Sequence, residues 1–587
     1  MNKVDLNLRR VYYLSCINSL FILSFYLLIT PTAPSYEVSI YSQTPLGFWI
    51  LVIFLLVVSQ ISLNFKEKKL PLIPVIVLLL VDSYIFVLPY LRGYFMYGRE
   101  DPMTHIGLIK YMLISAHNYP LNFYPIFHIF GAILALISDL KIYNLTFFVP
   151  SISFLLFALW SLILWKTLHS KRDSIKFIIS ILFVPLFGFW TYLMVPNMFS
   201  FYLIPLVLFV WITNRTNKKK KHVLIIIFFL LMMYLHPVTT MYLLITFLLL
   251  DLSVMICDYF KICNPIRDYD YLVKSPYIIV LLLILFGSWY TSFKVIIYSL
   301  KGFVYSLLLA HSGNPFLEQY KTQLQWYNLH ILRLLEWGMI RYGIILTLST
   351  VIVVRILNIL KRYKKITLNL DDIEFAEIFS YVGFLFFGIW TAITMFTRFL
   401  NYERVVKYLI FFSLVPFATQ LKQISTEKKS RKVFIIPLIL LVFDAIAIYS
   451  VYPSPLMGAI NQQVSHSEYV GMNWFFEHKS KYIQTRTQLI NQFRFYDAIY
   501  GTMYSYPNVY YSPKFYVPIH YDYRGTDSYF VIENDIRAVF YSSLIPEKKE
   551  FWKYTPEDFR KLIASRDINI AYSDKSLIIL LYHHRGD

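Results

Sequence analysis

Along most of the chain, apolar runs of about 17 to 25 residues alternate with short polar stretches, and each run, as a helix, can cross a hydrocarbon core about 30 Å thick. The pattern predicts a polytopic α-helical membrane protein. The first run, about residues 11 to 30, follows Lys3, Arg9 and Arg10. It is longer than a signal-peptide core and no small-residue cleavage site of the A-x-A type follows it. It reads as a retained anchor with its N-terminus inside.

Basic clusters pin the topology. They fall at Lys66, Lys68 and Lys69; Lys166, Lys171 and Arg172; Lys218 to Lys221; Lys261 and Arg267; Lys361 to Lys365; and Lys422 to Lys432. If Lys and Arg stay cytoplasmic, an even number of crossings separates each neighbouring pair of clusters. Three apolar runs lie between Lys69 and Lys166, near residues 70–90, 123–138 and 143–165, so one of them must fail to span. The shortest, "NFYPIFHIFGAILALISDL", opens with Pro125 and contains His128, and it suits a surface or re-entrant helix. The sum is about thirteen transmembrane helices, N-terminus in and C-terminus out.

From about Ser454 the periodicity changes. "YFVIEN" and "RAVFYSS" read as strands, "YTPEDFRKLIAS" as a helix with Thr555 as N-cap and Pro556 behind it, and "INIAYSDKSLIILLY" as a hairpin around Ser573 and Asp574. The expected organisation is therefore N-terminal transmembrane helices (1–91), an outer loop with surface helices (92–142), the main transmembrane bundle (143–453) and a small C-terminal α/β extracytoplasmic domain (454–587).

Composition agrees with this layout. Of 587 residues, 57% are hydrophobic and only 15% charged, against about a quarter charged in soluble proteins. The formal charge of +20 resides in the clusters between apolar runs, so it speaks for topology and against a nucleic-acid partner. Cys16, Cys257 and Cys263 imply neither a disulfide framework nor a cysteine metal site.

Charge inside this hydrocarbon is scarce, which makes "YGREDPMTHIGLIKYM" conspicuous: Arg99, Glu100, Asp101 and His105 gather in one outer loop. Asp101 before Pro102 predicts an N-cap carboxylate and a helix start. Ile106, Ile109, Met112 and Leu113 predict one apolar face and a helix lying along the membrane, with His105 on roughly the side of Asp101. Asp101 could be a cap and no more. Ionisable groups at the rim of a bilayer nevertheless tend to mark function, and His117 and His128 follow closely.

A second polar cluster, "MFTRFLNYERVVKYLIFF", places Arg398, Arg404 and Lys407 in an outer loop, against the positive-inside tendency. The plain alternatives are pairing with Glu403 or attraction to lipid headgroups; the sharper reading is a clamp for a phosphate. "YLHPVTTMYL" interrupts an apolar run at His236. "FWTYLMVPNMFSFYL", with Pro196 and Asn197, reads as a structural turn. His311 and Glu318 lie in a further long outer loop. Acid, histidines and cations on one face suit a reaction on a lipid phosphate: a carboxylate takes the acceptor proton, and cations stabilise the departing phosphate.

"EDPMTHIGLIKYM" at 100–112, "YPIFHIFGAILALI" at 124–137, the many spans and the C-terminal outer domain together resemble the GT-C superfamily of integral-membrane glycosyltransferases. The resemblance implies an inverting transfer from a polyprenyl-phosphate-linked sugar to a glycan, lipid or protein acceptor on the outer face of the cell membrane. It implies Asp101 as base with Glu100 as its acidic partner. His105, Tyr124, His128, His236, Arg398, Arg404 and Lys407 are the expected substrate-binding residues. Some members use a divalent metal at the acidic motif and others do not, so that choice stays open. The acidic loop follows the third span here, whereas the superfamily usually has it after the first. A "WWDYG" signature is absent, which favours transfer of a single sugar. The Ile-, Lys- and Tyr-rich composition points to an archaeal source. A flippase or transporter of lipid-linked sugars, or a non-catalytic membrane scaffold, are the alternatives; the chain lacks the internal repeat usual in transporters.

Overall fold

The computed structural model describes residues 3–63, 72–119, 122–168, 178–179, 181–213, 218–260, 276–292, 301, 331–364, 374–396, 403–426, 435–487, 491–502, 509–511, 527–533, 560–561, 563–574 and 576–583. Its helices, in chain order, are α1 (Lys3–Ile29), a single turn α2 (Ile40–Gln43), α3 (Leu46–Leu63), α4 (Leu72–Leu91), α5 (Asp101–Ser115), α6 (Pro125–Ser138), α7 (Leu145–Leu168) and α8 (Pro196–Ile212). There follow α9 (Lys218–Leu235), α10 (Pro237–Phe260), α11 (Pro276–Thr291), α12 (Ile331–Lys364), α13 (Phe375–Phe396), α14 (Glu403–Thr426) and α15 (Ile435–Val451), then α16 (His466–His478) and α17 (Asn491–Tyr500).

Eight of the described helices are long and apolar enough to cross a membrane: α1, α3, α4, α7, α10, α12, α13 and α14. Four more, α6, α8, α11 and α15, are apolar but shorter. Helix α6 has 14 residues, a length of about 21 Å, which falls short of a hydrocarbon core. It turns Phe127, His128, Gly131, Ala132 and Ala135 inward and leaves Ile129, Phe130, Ile133, Leu136 and Ile137 bare. Small residues face the protein and large apolar ones face away, as a helix bedded in lipid requires. Cys257, near the end of α10, is disulfide-bonded, a bond that cysteine number and spacing did not suggest.

One end of the bundle is tied together by polar contacts. Strand β1 (Met96–Tyr97) pairs antiparallel with β2 (Gln463–Val464), and Gly98, at φ +109°, turns the chain out of β1. Arg92 pairs with Glu37, both buried, and Glu37 also accepts from Tyr94 Oη at 2.6 Å. Arg99 is buried too: its guanidinium meets Glu468 at 2.6 Å and donates from Nε to the Gln463 carbonyl at 2.7 Å. Of the four charged groups in "YGREDPMTHIGLIKYM", Arg99 is therefore structural.

Glu468 serves twice, since it also closes a capping box with Ser465 at the start of α16. Removing one member of a buried pair strands the other charge. Glu468→Ala is expected to cost about 3–5 kcal/mol, read by thermal or denaturant unfolding in detergent; a loss below about 1 kcal/mol, the range of an exposed pair, contradicts this assignment.

Beyond α16 lies a five-stranded mixed sheet in the order β4 (Val509–Tyr511), β3 (Gln484–Thr487), β5 (Ser528–Glu533), β7 (Leu577–Tyr582), β6 (Ile568–Ser573). Strand β3 runs parallel to β4 and β5, while β7 is antiparallel to β5 and β6. The strand read from "YFVIEN" and the hairpin at Ser573 and Asp574 are present; "RAVFYSS" and the helix start at Thr555 lie outside the described residues.

Candidate functional site

Helix α5 differs from its expected form. The N-cap position is Glu100, whose side chain makes no cap bond, and Asp101 is the first helical residue with Pro102 behind it. The Asp101 carboxylate is turned away from the helix end. Arg494 of α17 donates through Nη2 to Asp101 Oδ1 at 2.8 Å, so the carboxylate is spent on a tertiary contact instead of a cap.

Nor does α5 lie with one face on a membrane. It is wedged between α6 and α17, with every residue from Pro102 to Ile109 buried. The wedge is tight: a Cβ on Gly107 would stand 2.2 Å from the backbone oxygen of Asp497, so only glycine admits α17 here. Polar bonds fix the register. Arg494 Nη1 donates to Thr104 Oγ1 at 2.7 Å, Thr104 Oγ1 donates to Asp497 Oδ2 at 2.7 Å, and Lys110 Nζ donates to the Ile499 carbonyl at 2.5 Å.

Asp101 itself stays 59% exposed. Among the described residues no hydrogen bond reaches its Oδ2, so one oxygen is anchored and the other is open. Glu100 stands beside it. Partial desolvation, and then the Asp101 charge, raise the Glu100 carboxyl above its usual range, against the pull of Arg494.

His105, one turn after Asp101, is bonded to α6 and not to α17. Its Nδ1 is hydrogen-bonded to His128 Nε2 of α6 at 2.9 Å, and both rings are buried. Burial, and secondarily the positive Arg494, push the His105 imidazole down to about 3. Burial and then His105 hold His128 well below its ordinary value as well. As pH falls below the ordinary value of 6.5, the unfolded chain takes up a proton that folded His105 refuses. Stability is therefore full above pH 6.5 and declines towards pH 3, by about 1.4 kcal/mol per unit for this ring. Unfolding midpoints in detergent between pH 7 and 4 should fall more steeply for the wild type than for His105→Gln; equal slopes contradict the neutral buried ring.

Tyr124, just before α6, stacks on His236 with ring centres 5.5 Å apart and planes 16° from parallel. His236 sits between α9 and α10. Its Nδ1 accepts the Thr239 backbone N–H at 3.2 Å, so in the neutral ring the proton is on Nε2. Burial, and then Lys407 and Arg404, hold it well below its ordinary value. Thr239 Oγ1 donates to Asn197 Oδ1 at 3.3 Å, and Lys407 Nζ donates to the Asn197 backbone carbonyl at 3.0 Å and to its side-chain oxygen. Asn197 is thus part of the polar centre, which corrects its reading as a structural turn.

Lys407, on α14, is 4% exposed and lies over the Phe201 ring at 5.0 Å. Arg404, one turn earlier, is exposed. Glu403 pairs with Arg341 of α12 at 2.8 Å. Arg404 and Lys407 share a cleft with Phe187, Trp190, Asn197 and Ile410. Arg398, His311 and Glu318 lie outside the described residues. His117 is exposed and bonds only within its own turn.

Residue types and spacing pointed to Asp101, His105, Tyr124, His128, His236 and Lys407, and the structure links the last five of these through direct bonds, ring contacts and electrostatic proximity. Arg494, Thr104, Asp497 and Asn197 escaped. Arg494 and Asp497 do stand three apart on one helix, the only local sign that this face of α17 meets something polar. Among the described residues no three His, Cys, Asp or Glu side chains converge as ligands of one ion, and Glu100 and Asp101 remain the acidic pair to which a divalent ion could attach.

Fold and site define a multi-pass helical membrane protein whose polar centre lies at the end of the bundle that carries the sheet. No family model and no curated protein matches the sequence. Among solved structures it is similar to crystal structures of ArnT from Cupriavidus metallidurans, one bound to undecaprenyl phosphate and one in the apo state. Each aligns at a TM-score of 0.43 and 11% identity, over 87% of this chain and 97% of the other.

Proposed function

We propose that this protein is a membrane glycosyltransferase that moves a sugar from a polyprenyl-phosphate donor to a glycan, lipid or protein acceptor on the outer face of the membrane. The observation that carries the reading is the open carboxylate of Asp101, anchored by Arg494, one helical turn from His105, whose neighbours Tyr124 and His236 lead on to the amine of Lys407. A transfer needs both: a proton acceptor for the incoming hydroxyl and a positive wall for the departing phosphate.

In this reading Oδ2 of Asp101 takes the proton of the acceptor hydroxyl as its oxygen attacks the anomeric carbon. The bond from that carbon to the phosphate oxygen breaks on the opposite side, which inverts the anomeric centre. The negative charge that grows on the phosphate meets Lys407 and Arg404, with Arg398 as a third candidate from the same stretch. His236, with its proton on Nε2, offers an uncharged donor nearby. The aromatic and aliphatic wall of the cleft, Phe187, Trp190 and Ile410, suits the first isoprene units. Topology belongs to the same proposal: with about thirteen crossings, α5, α6 and the sheet face outward.

The test is transfer by the purified full chain in proteoliposomes, with radiolabelled polyprenyl-phosphate sugars as donors and a membrane glycolipid extract as acceptor. Label passing to acceptor, with release of polyprenyl phosphate, is the expected result. Label crossing the bilayer with the donor still intact would favour a flippase and overturn the proposal.

A further inference from the structure

Deep in the bundle, three polar side chains from three helices lie buried, two of them in direct contact. Gln60 of α3, Asp82 of α4 and Asp444 of α15 are each wholly buried. Asp82 is the eleventh residue of α4 and Asp444 the tenth of α15, so each lies about 15 Å along its helix, near half the depth of a hydrocarbon core. Gln60 Nε2 donates to Asp444 Oδ1 at 2.9 Å. Asp82 faces this pair closely enough to feel the Asp444 charge. Among the described residues, no donor reaches either oxygen of Asp82 or Oδ2 of Asp444, and no Lys, Arg or His pairs with them.

An ionised carboxylate at that depth needs a partner, and ionisable groups that persist there tend to serve ions or protons. Protons alone would cancel the charge, with one carboxyl donating its O–H to the other, but would leave the remaining oxygens without a partner. A bound cation satisfies several oxygens together. We propose that Gln60, Asp82 and Asp444 form an intramembrane site for one small monovalent cation of the sodium class. Asp82 supplies two oxygens and Asp444 its Oδ2, while Gln60 fixes the orientation of Asp444. One such cation with one proton neutralises the two carboxylates. A closed bundle is unsuited to magnesium, which keeps several waters.

The full chain in detergent at pH 8 would be tested for direct binding of radioactive sodium, with unlabelled sodium, potassium or choline chloride as competitors at constant ionic strength. Saturable binding of about one ion per chain, displaced by sodium and not by choline, is the expected result. Sodium should also raise the unfolding temperature of the wild type by several degrees and leave Asp82→Asn unmoved. No saturable binding to the wild type overturns the site whether or not the variant folds. So does a sodium shift that survives in Asp82→Asn. Stability that follows pH but is equal in the three salts assigns a proton in place of the cation, and also overturns it.

Discussion

Asp101→Asn is expected to lower sugar transfer by about 10²–10⁴-fold, the range of a lost general base, while the protein remains folded. The substitution is discriminating because asparagine keeps the shape of the side chain and an oxygen that can accept from Arg494. The contact between α5 and α17 therefore survives, and only the capacity to take a proton is lost. In the same proteoliposome assay, the unfolding midpoint should stay near that of the wild type while turnover collapses and donor affinity changes little. Equal turnover by variant and wild type would remove Asp101 from the chemistry. A matched loss of turnover and folded protein would mean that the carboxylate is a fastening and nothing else.

Lys407→Gln is expected to lower turnover by about 10²–10³-fold, the loss typical of one electrostatic group acting on a transition state. Glutamine can still donate to the Asn197 carbonyl from a similar position, so the first turn of α8 need not shift. Arg404→Gln, at an exposed position, should weaken apparent donor affinity more than turnover, and its effect should shrink as salt rises. Unchanged kinetics in Lys407→Gln would refute the clamp and return Lys407 to the role of a lysine lodged against Phe201 and Tyr408.

The parts legible in the sequence were those with a local cause. Hydrocarbon runs predicted helices because each must satisfy its own backbone in lipid. Pro125 and the brevity of its run predicted a helix unable to span, and the break of periodicity after Ser454 predicted strands. Asp101 stands out because charge is scarce in such surroundings, but it is the first helical residue and not the expected N-cap. A helix start one residue earlier or later is decided by backbone angles and competing partners, and here the competing partner, Arg494, lies 393 positions away. For His105, spacing on the helix gives its place one turn from Asp101, and packing alone gives its partner, His128.

Local chemistry thus settled that this is a multi-pass helical membrane chain, and it singled out a few ionisable groups as candidates. Folding alone chose their companions. Asn197 accepts from Lys407, Glu403 pairs with Arg341, Arg99 is sealed against Glu468, and two aspartates are buried inside the bundle. The reason is that apolar periodicity and helix spacing act over a few residues, while an ion pair or a hydrogen bond is chosen by whichever group the packed chain brings within about 3 Å. Sequence separation places no limit on that choice.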